Sequence, residues 1–191
     1  MERRRLIWND EEYEVISAAK LNGWCCIDTG LIIDSSYSQV DTEFGIFVTL
    51  RESNSHMICW NEGATIQVYM NGNNLWNQGV SIYTNGNTHY DVYTTTTDTT
   101  RTLRVNNGST QSQTFSRPFA NAIGKHIFLF SMSNGVYPLH EVIDYVNIKL
   151  NGDYVRKYKF VKNKATGDIA MMDELTGDIY PNVGEGYFSE I

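Results

Sequence analysis

Charge is scarce in this chain: Asp, Glu, Lys and Arg make up 19% of its 191 residues, against about a quarter in an average globular domain. Proline is scarcer, at three residues, and the 15 glycines follow no period. Collagen-like and Pro-rich low-complexity chains are thereby excluded. There are three cysteines, an odd number, with no CxxC spacing, which argues against a disulfide framework and against zinc. Cys25 and Cys26 are neighbours; on a strand they point to opposite faces and cannot easily share one partner. Free, mostly buried thiols are expected, as in a reducing compartment. Basic residues are outnumbered, 15 to 22, giving a net charge of −7, and Arg3-Arg4-Arg5 is the one dense basic run, read as a solvated tail. Nucleic acid is therefore not an expected partner. No stretch approaches about 18 consecutive apolar residues, and MERRRLIWNDEEYEV has neither an apolar h-region nor a cleavage site. A membrane span, a membrane partner and a signal peptide are not expected.

What the chain has instead is Asn, Thr, Ser and Gly between short apolar runs. It is 41% hydrophobic and 13% aromatic, too much for a disordered protein. Its length suits one all-β domain able to bury about 70% of its unfolded surface without a staple. Asn-Gly, the signature of tight hairpins, occurs at Asn22, Asn71, Asn85, Asn107, Asn134 and Asn151. Between these turns lie β-branched or alternating runs: Thr65–Met70, Val80–Tyr83, Thr102–Val105, Ile127–Phe130 and, most plainly, Tyr145–Leu150. Residues 9–20 read either as a helix capped by Asn9 or Asp10 or as a first strand over Tyr13–Ala19 behind an acidic leader. A short helical turn is expected near Phe119–Gly124. The Thr-rich run 94–100 reads as a solvent-facing edge strand or as a loop. No internal repeat or linker is evident.

Two stretches carry more than composition. The first is Trp24-Cys25-Cys26-Ile27-Asp28-Thr29-Gly30-Leu31, then Ser36 and Val40-Asp41-Thr42-Glu43-Phe44. The second runs from Val146 to Phe188, with two Thr-Gly-Asp turns and a closing Gly184-Glu185-Gly186-Tyr187-Phe188. Between them stands His126-Ile127-Phe128-Leu129-Phe130, followed by Asn134-Gly135. In order and spacing these resemble the opening, the ending and a central strand of concanavalin A-like (laminin-G-like) jelly-roll domains of the phage and gut-bacterial type. Cys25-Cys26, Lys159-Phe160 and Met171-Met172 depart from that family's usual residues at apolar sites. The resemblance implies a two-sheet antiparallel jelly-roll sandwich over residues 13–191, preceded by a short N-terminal arm over residues 1–12. The residues themselves add local expectations. Thr29-Gly30 is read as a tight exit from a buried strand, Ile169, Met171 and Ile179 as sharing one face of a hairpin, and Gly184 and Gly186 as a bend that docks Tyr187 and Phe188 into the core.

The jelly-roll superfamily includes glucanases, whose Glu-x-Asp-x-Glu strand pattern is missing from this sequence. Asp41 and Glu43 share a strand face but lie in the opening strand, where outward charge is ordinary; Glu141 and Asp144 are three apart and point opposite ways. The histidines, His56, His89, His126 and His140, form no HExxH or tight pair, and there is no GxSxG. No enzyme, no metal site and no cofactor is expected, with a single calcium ion left open. Carbohydrate binding is the sharper candidate, because Asn71–Tyr93 mixes aromatic rings with planar amides. Within it, Trp76, Asn74, Asn85, His89 and Tyr90 are the candidate sugar-binding residues. The competing reading makes the aromatics core and the asparagines turn formers. Two roles remain: a non-enzymatic structural or adhesion module of a phage virion (capsid decoration, head fibre or tail), assembled in the host cytoplasm, or a lectin-like module of a bacterial surface. In the first, Leu6, Ile7 and Trp8 would anchor the arm, unless they simply start the first strand. Expected partners are other virion proteins or glycans, with a homo-oligomer left open.

Overall fold

A computed structural model of the chain describes residues 6–49, 55–61, 66–114, 118–131 and 138–191. The Arg3-Arg4-Arg5 run, the first five arm residues, Thr65 and the Asn134-Gly135 turn lie outside the described residues. Within them run β1 (Leu6–Ile7), β2 (Tyr13–Val15), β3 (Ala19–Asn22), β4 (Ile27–Ile32), β5 (Gln39–Val48), β6 (Ser55–Asn61), β7 (Gln67–Asn71), β8 (Asn74–Asn77) and β9 (Val80–Tyr83). After them come β10 (Thr88–Thr97), β11 (Thr100–Val105), β12 (Gln111–Thr114), a 3-10 turn (Phe119–Ala122), β13 (His126–Leu129), β14 (Val142–Leu150), β15 (Asp153–Asn163), β16 (Ile169–Asp173), β17 (Asp178–Tyr180) and β18 (Tyr187–Glu190). The larger sheet has twelve strands: β1-β17-β16-β15-β14-β5-β10-β11-β12, with β2 on β15, β3 on β14 and β18 on β3. The smaller has six, β4-β13-β6-β7-β8-β9. The protein is the expected all-β, two-sheet antiparallel sandwich.

Alternation writes the core. Phe44, Ile46 and Val48 of β5 face Ile58, Val68 and Leu75 of the smaller sheet, all fully buried. Cys25 and Cys59 lie in this core and Cys26 on the opposite side of the smaller sheet. All three are free. Burial pushes the thiols up, to about 11 for Cys25 and about 12 for Cys26 and Cys59, so none is a ready nucleophile.

Of the five Asn-Gly pairs among the described residues, one follows the predicted chemistry in full; at Asn22, Asn71, Asn85 and Asn107 the asparagine does not take positive φ. Asn151 and Gly152 both take positive φ between β14 and β15, as a two-residue hairpin of this type demands. Gln78 and Gly79 do the same between β8 and β9. The Thr29-Gly30 step is not a strand exit. It lies inside β4, where Gly30 at φ +66 makes a bulge: three residues of β4, Thr29–Leu31, oppose one of β13.

The acidic leader settles as a turn rather than a helix. The Glu11 amide donates to Asn9 Oδ1 at 2.9 Å and the Tyr13 amide to the Asn9 carbonyl, after which β2 and β3 follow. Leu6 and Ile7 pair with β17, and Trp8 packs beside Tyr13 against Val161, Ala170, Met172 and Ile179. Ile179 therefore does not share a face with Met171, which belongs to the inter-sheet core: Met172, not Met171, is its cross-strand partner. At the far end Phe188 enters the core against Phe130 and Phe160, while Tyr187 stays 66% exposed, because adjacent strand residues point opposite ways.

The Thr-rich run splits: Asp98 and Thr99 form the turn between β10 and β11 and Thr100 opens β11, but residues 94–97 are not an edge strand. Those four residues end β10, between β5 and β11, with Thr94 and Thr96 turned inward and buried. Thr94 Oγ1 is 2.7 Å from Thr42 Oγ1. Next to it, Asn77 of the smaller sheet reaches across the sandwich: its Nδ2 donates to the carbonyls of Thr95 and Thr102 at 3.1 and 2.8 Å. Backbone carbonyls of one sheet are thus tied to a side chain of the other.

Candidate functional site

The outer face of the larger sheet is polar where a jelly roll needs only solvent. It is built on β5, β10, β14 and β15, in which Glu43 pairs with both Tyr93 and Asn147. Two irregularities shape it. Between Ile143 and Val146, β14 spends two residues, Asp144 and Tyr145, opposite the single Gly45 of β5. A bulge of this kind re-aims side chains, and here both residues lie across Gly45. A Cβ added to Gly45 would come within 2.9 Å of Asp144 Oδ2 and of Tyr145 Cε1. In β15 an extra residue, Val155, shifts the register so that Tyr154 stands opposite Lys149.

Hydrogen bonds fix the resulting groups. Tyr145 Oη donates to Asp91 Oδ1 at 3.0 Å. His89 Nε2 and Asp144 Oδ2 are 2.5 Å apart and both part-exposed. Glu43 accepts from Lys149 Nζ at 2.5 Å, Tyr154 Oη at 2.9 Å and Asn147 Nδ2 at 3.4 Å. Burial pushes the Glu43 carboxyl up, but these three donors and the Lys149 charge outweigh it and hold the group below the usual carboxylate range. The Lys149 ammonium is raised in turn by its hydrogen bond to Glu43. Burial and the bond to Asp91 keep the Tyr145 phenol well above its ordinary value.

Cations cover ring faces here: the Arg104 guanidinium lies 4.0 Å from the Tyr93 centroid, and Lys149 and Lys157 lie 4.3 and 4.9 Å from that of Tyr154. Asp41, Glu43, Asp91 and Asp144 face Arg104, Lys149 and Lys157, so the surface is close to neutral. A near-neutral field of fixed carboxylates, amides and phenols suits a ligand rich in hydroxyls better than a polyanion. Among the described residues, no group of three or more His, Cys, Asp and Glu side chains could hold a metal ion.

The five sequence candidates are not gathered in one place. His89 alone lies on this face. Asn74 and Trp76 are on the outer face of the smaller sheet, where Trp76 stacks on Tyr69 with centroids 6.0 Å apart. Tyr90 is a core residue, 7% exposed, and its hydroxyl accepts from the Asn85 amide at 2.7 Å in the β9–β10 loop. Gln78 and Asn87 are turn formers with positive φ. Missed were Asp91, Tyr93, Asp144, Tyr145, Lys149 and Tyr154 as one surface. Two signals for it are present in the chain: an isolated Gly inside the alternating β5, and a slip of period in Ile143-x-x-Val146.

No family model and no curated protein matches the chain. Among solved structures, a candidate carbohydrate-binding protein from Bacteroides ovatus ATCC 8483 is similar with a TM-score of 0.59 at 12% identity, over 93% of this chain and 61% of that one. Domains LG4-5 of the mouse laminin alpha1 chain give 0.49 at 11% identity, over 90% of this chain and 51% of that one. Scytalido-glutamic peptidase gives 0.38 at 14% identity, over 91% of this chain and 100% of that one, too low to carry an argument. Identities at this level speak for the fold alone, and the chain spans about three fifths of the Bacteroides protein's length.

Proposed function

We propose that this chain, whose fold is the concanavalin A-like (laminin-G-like) jelly roll, is a non-enzymatic carbohydrate-binding module with the outer face of its larger sheet as the glycan face. The observation that carries the reading is the pair of strand irregularities that set Asp144, Tyr145 and Tyr154 among fixed hydrogen-bonding groups. Sugar hydroxyls need planar acceptors and donors held in place, and the carboxylates, amide and phenols of this face supply them without reorganisation. The likeness to a candidate carbohydrate-binding protein is in keeping with it. No fold, site or comparison observation favours a virion role over this one.

Catalysis is not part of the proposal. A general acid needs a raised carboxyl pKa, whereas Glu43 is lowered and engaged by three donors.

Glycan-array binding by the wild-type chain, Glu43→Gln, Tyr145→Ala and Trp76→Ala tests the reading. Binding should fall about tenfold or more in the first two variants, the loss of a hydrogen bond to a charged group being worth about 1.5–3 kcal/mol, and should persist in Trp76→Ala. Loss in Trp76→Ala alone would move the glycan face to the smaller sheet. A blank array would remove the binding reading, and β-glucan hydrolysis abolished by Glu43→Gln would overturn the non-enzymatic one.

A further inference from the structure

Away from that face, a cavity of about 420 Å³ opens between the turn entering β16 and the segment leading into β18. Gly167, Asp168 and Ile169 form one wall, and Pro181, Asn182, Gly184, Gly186, Tyr187 and Phe188 the other. Both walls are rigid without a ligand. On the first, Asn163 Oδ1 accepts from the amides of Ala165 and Thr166, Gly167 takes φ +78, and Thr166 Oγ1 donates to Asp168 Oδ2 at 2.7 Å. On the second, Asn182 Oδ1 accepts from the amides of Cys26 and Gly184 at 2.7 and 3.0 Å, while its Nδ2 donates to the carbonyls of Gly184 and Gly186. Gly184 and Gly186 press against the backbone so closely that an added Cβ would lie 2.1 Å from the Trp24 carbonyl oxygen or 2.4 Å from that of Asn22.

Two groups on this rigid frame have no structural task. Asp168 Oδ1 has no hydrogen-bond partner among the described residues, since Thr166 occupies only the other oxygen. Tyr187 is two-thirds exposed, although Phe188 beside it supplies the core contact of β18. A free carboxylate oxygen next to an open ring face, in a cavity lined otherwise by three glycines, Pro181, Ile169, Phe188 and an Asn182 whose amide is already bonded to backbone, matches a pyranose: hydroxyls for the carboxylate, a C–H face for the ring. The volume lies toward the small end of small-molecule sites, about 300–1,000 Å³, which suits one sugar ring rather than a chain running through. Asp168 is the one charged side chain in the lining, so anionic sugars are disfavoured and no cation cage is present.

We propose that this cavity is a second sugar subsite, which takes a single uncharged pyranose, such as a glycan chain end, by hydrogen bonds to Asp168 and stacking on Tyr187. The proposal rests on the carbohydrate-binding reading of the chain but on none of the groups of the larger-sheet face.

Titration of 15N-labelled protein with methyl α- and β-pyranosides of glucose, galactose, mannose and N-acetylglucosamine, followed by amide chemical shifts, tests it. At least one should shift Gly167, Ile169, Gly184 and Tyr187 with millimolar affinity, weakened about tenfold or more in Asp168→Asn and severalfold in Tyr187→Ala. Tyr187 is exposed, and Asn at 168 can still accept from Thr166, so both variants should keep the wild-type spectrum elsewhere. Shifts confined to β5, β10 and β14, or unchanged affinity in both variants, would overturn the subsite while leaving sugar binding intact. The same holds for silence toward every methyl pyranoside beside a positive glycan array. Silence in both assays would remove the subsite and the module reading together.

Discussion

Glu43 shows how one residue can be read correctly in address and not in company. Alternation along β5 places it outward beside Asp41, as the sequence predicts, but its partners come from β14 and β15, 104 to 111 residues away. No local pattern pairs them. The partnership has a pH signature. Because the carboxyl is held below its unfolded value, its contribution to stability is present above about pH 4.3 and is lost as pH falls through the lower folded value. Lys149 is raised, so its contribution is full below about pH 10.4 and is lost as pH rises through its higher folded value. Denaturant unfolding of the wild-type chain and Glu43→Gln between pH 3 and 7 should therefore show a stability gap that is widest near neutrality and narrows below about pH 4.3. A gap independent of pH would mean that the carboxylate charge contributes nothing.

At the scale of elements, the strands over 80–83, 102–105 and 145–150 were legible because one face of each is buried and alternation records it, and 127–130 because it is a short unbroken apolar run buried on both faces. The β10 threonines were not, because Thr is equally at home on a solvent face and opposite another hydroxyl. What decides is a cross-strand partner, Thr42, 52 residues earlier. The pair gives a clean cycle. Thr94→Val should cost about 1–3 kcal/mol by orphaning the Thr42 hydroxyl, and the double change Thr42→Val with Thr94→Val should recover most of that loss. Additive losses in denaturant unfolding would show that the two hydroxyls do not depend on each other. The site was less legible than the strands. A bulge and a register shift create it, and each is defined only by the partner strand. In sequence they leave no more than a glycine in β5 and a broken period in β14.

For the whole molecule, the two end motifs that carry the family resemblance meet in space: β18 pairs with β3, and Val183 donates its amide to the Cys26 carbonyl. The chain's closing strand is therefore part of its core, through Phe188. Phe188→Ala should cost about 3–5 kcal/mol, and at roughly 2–4 °C per kcal/mol for a chain of this size should lower the melting temperature by roughly 6–20 °C in a thermal scan. A negligible shift would mean that β18 only decorates the sandwich.

The link made by Asn77 has a mechanical corollary. Apolar layers pressed face to face slide with little resistance, because one methyl contact replaces another. A carboxamide bonded to two carbonyls of the opposite layer does not slide: displacement by a few ångströms breaks both bonds at once. The sandwich is thus pinned where β8 meets β10 and β11, whereas on the β4 side the layers are joined, among the described residues, by a single, longer bond from Arg156 Nη2 of β15 to the Thr29 carbonyl at 3.4 Å, so shear between the layers is resisted less there.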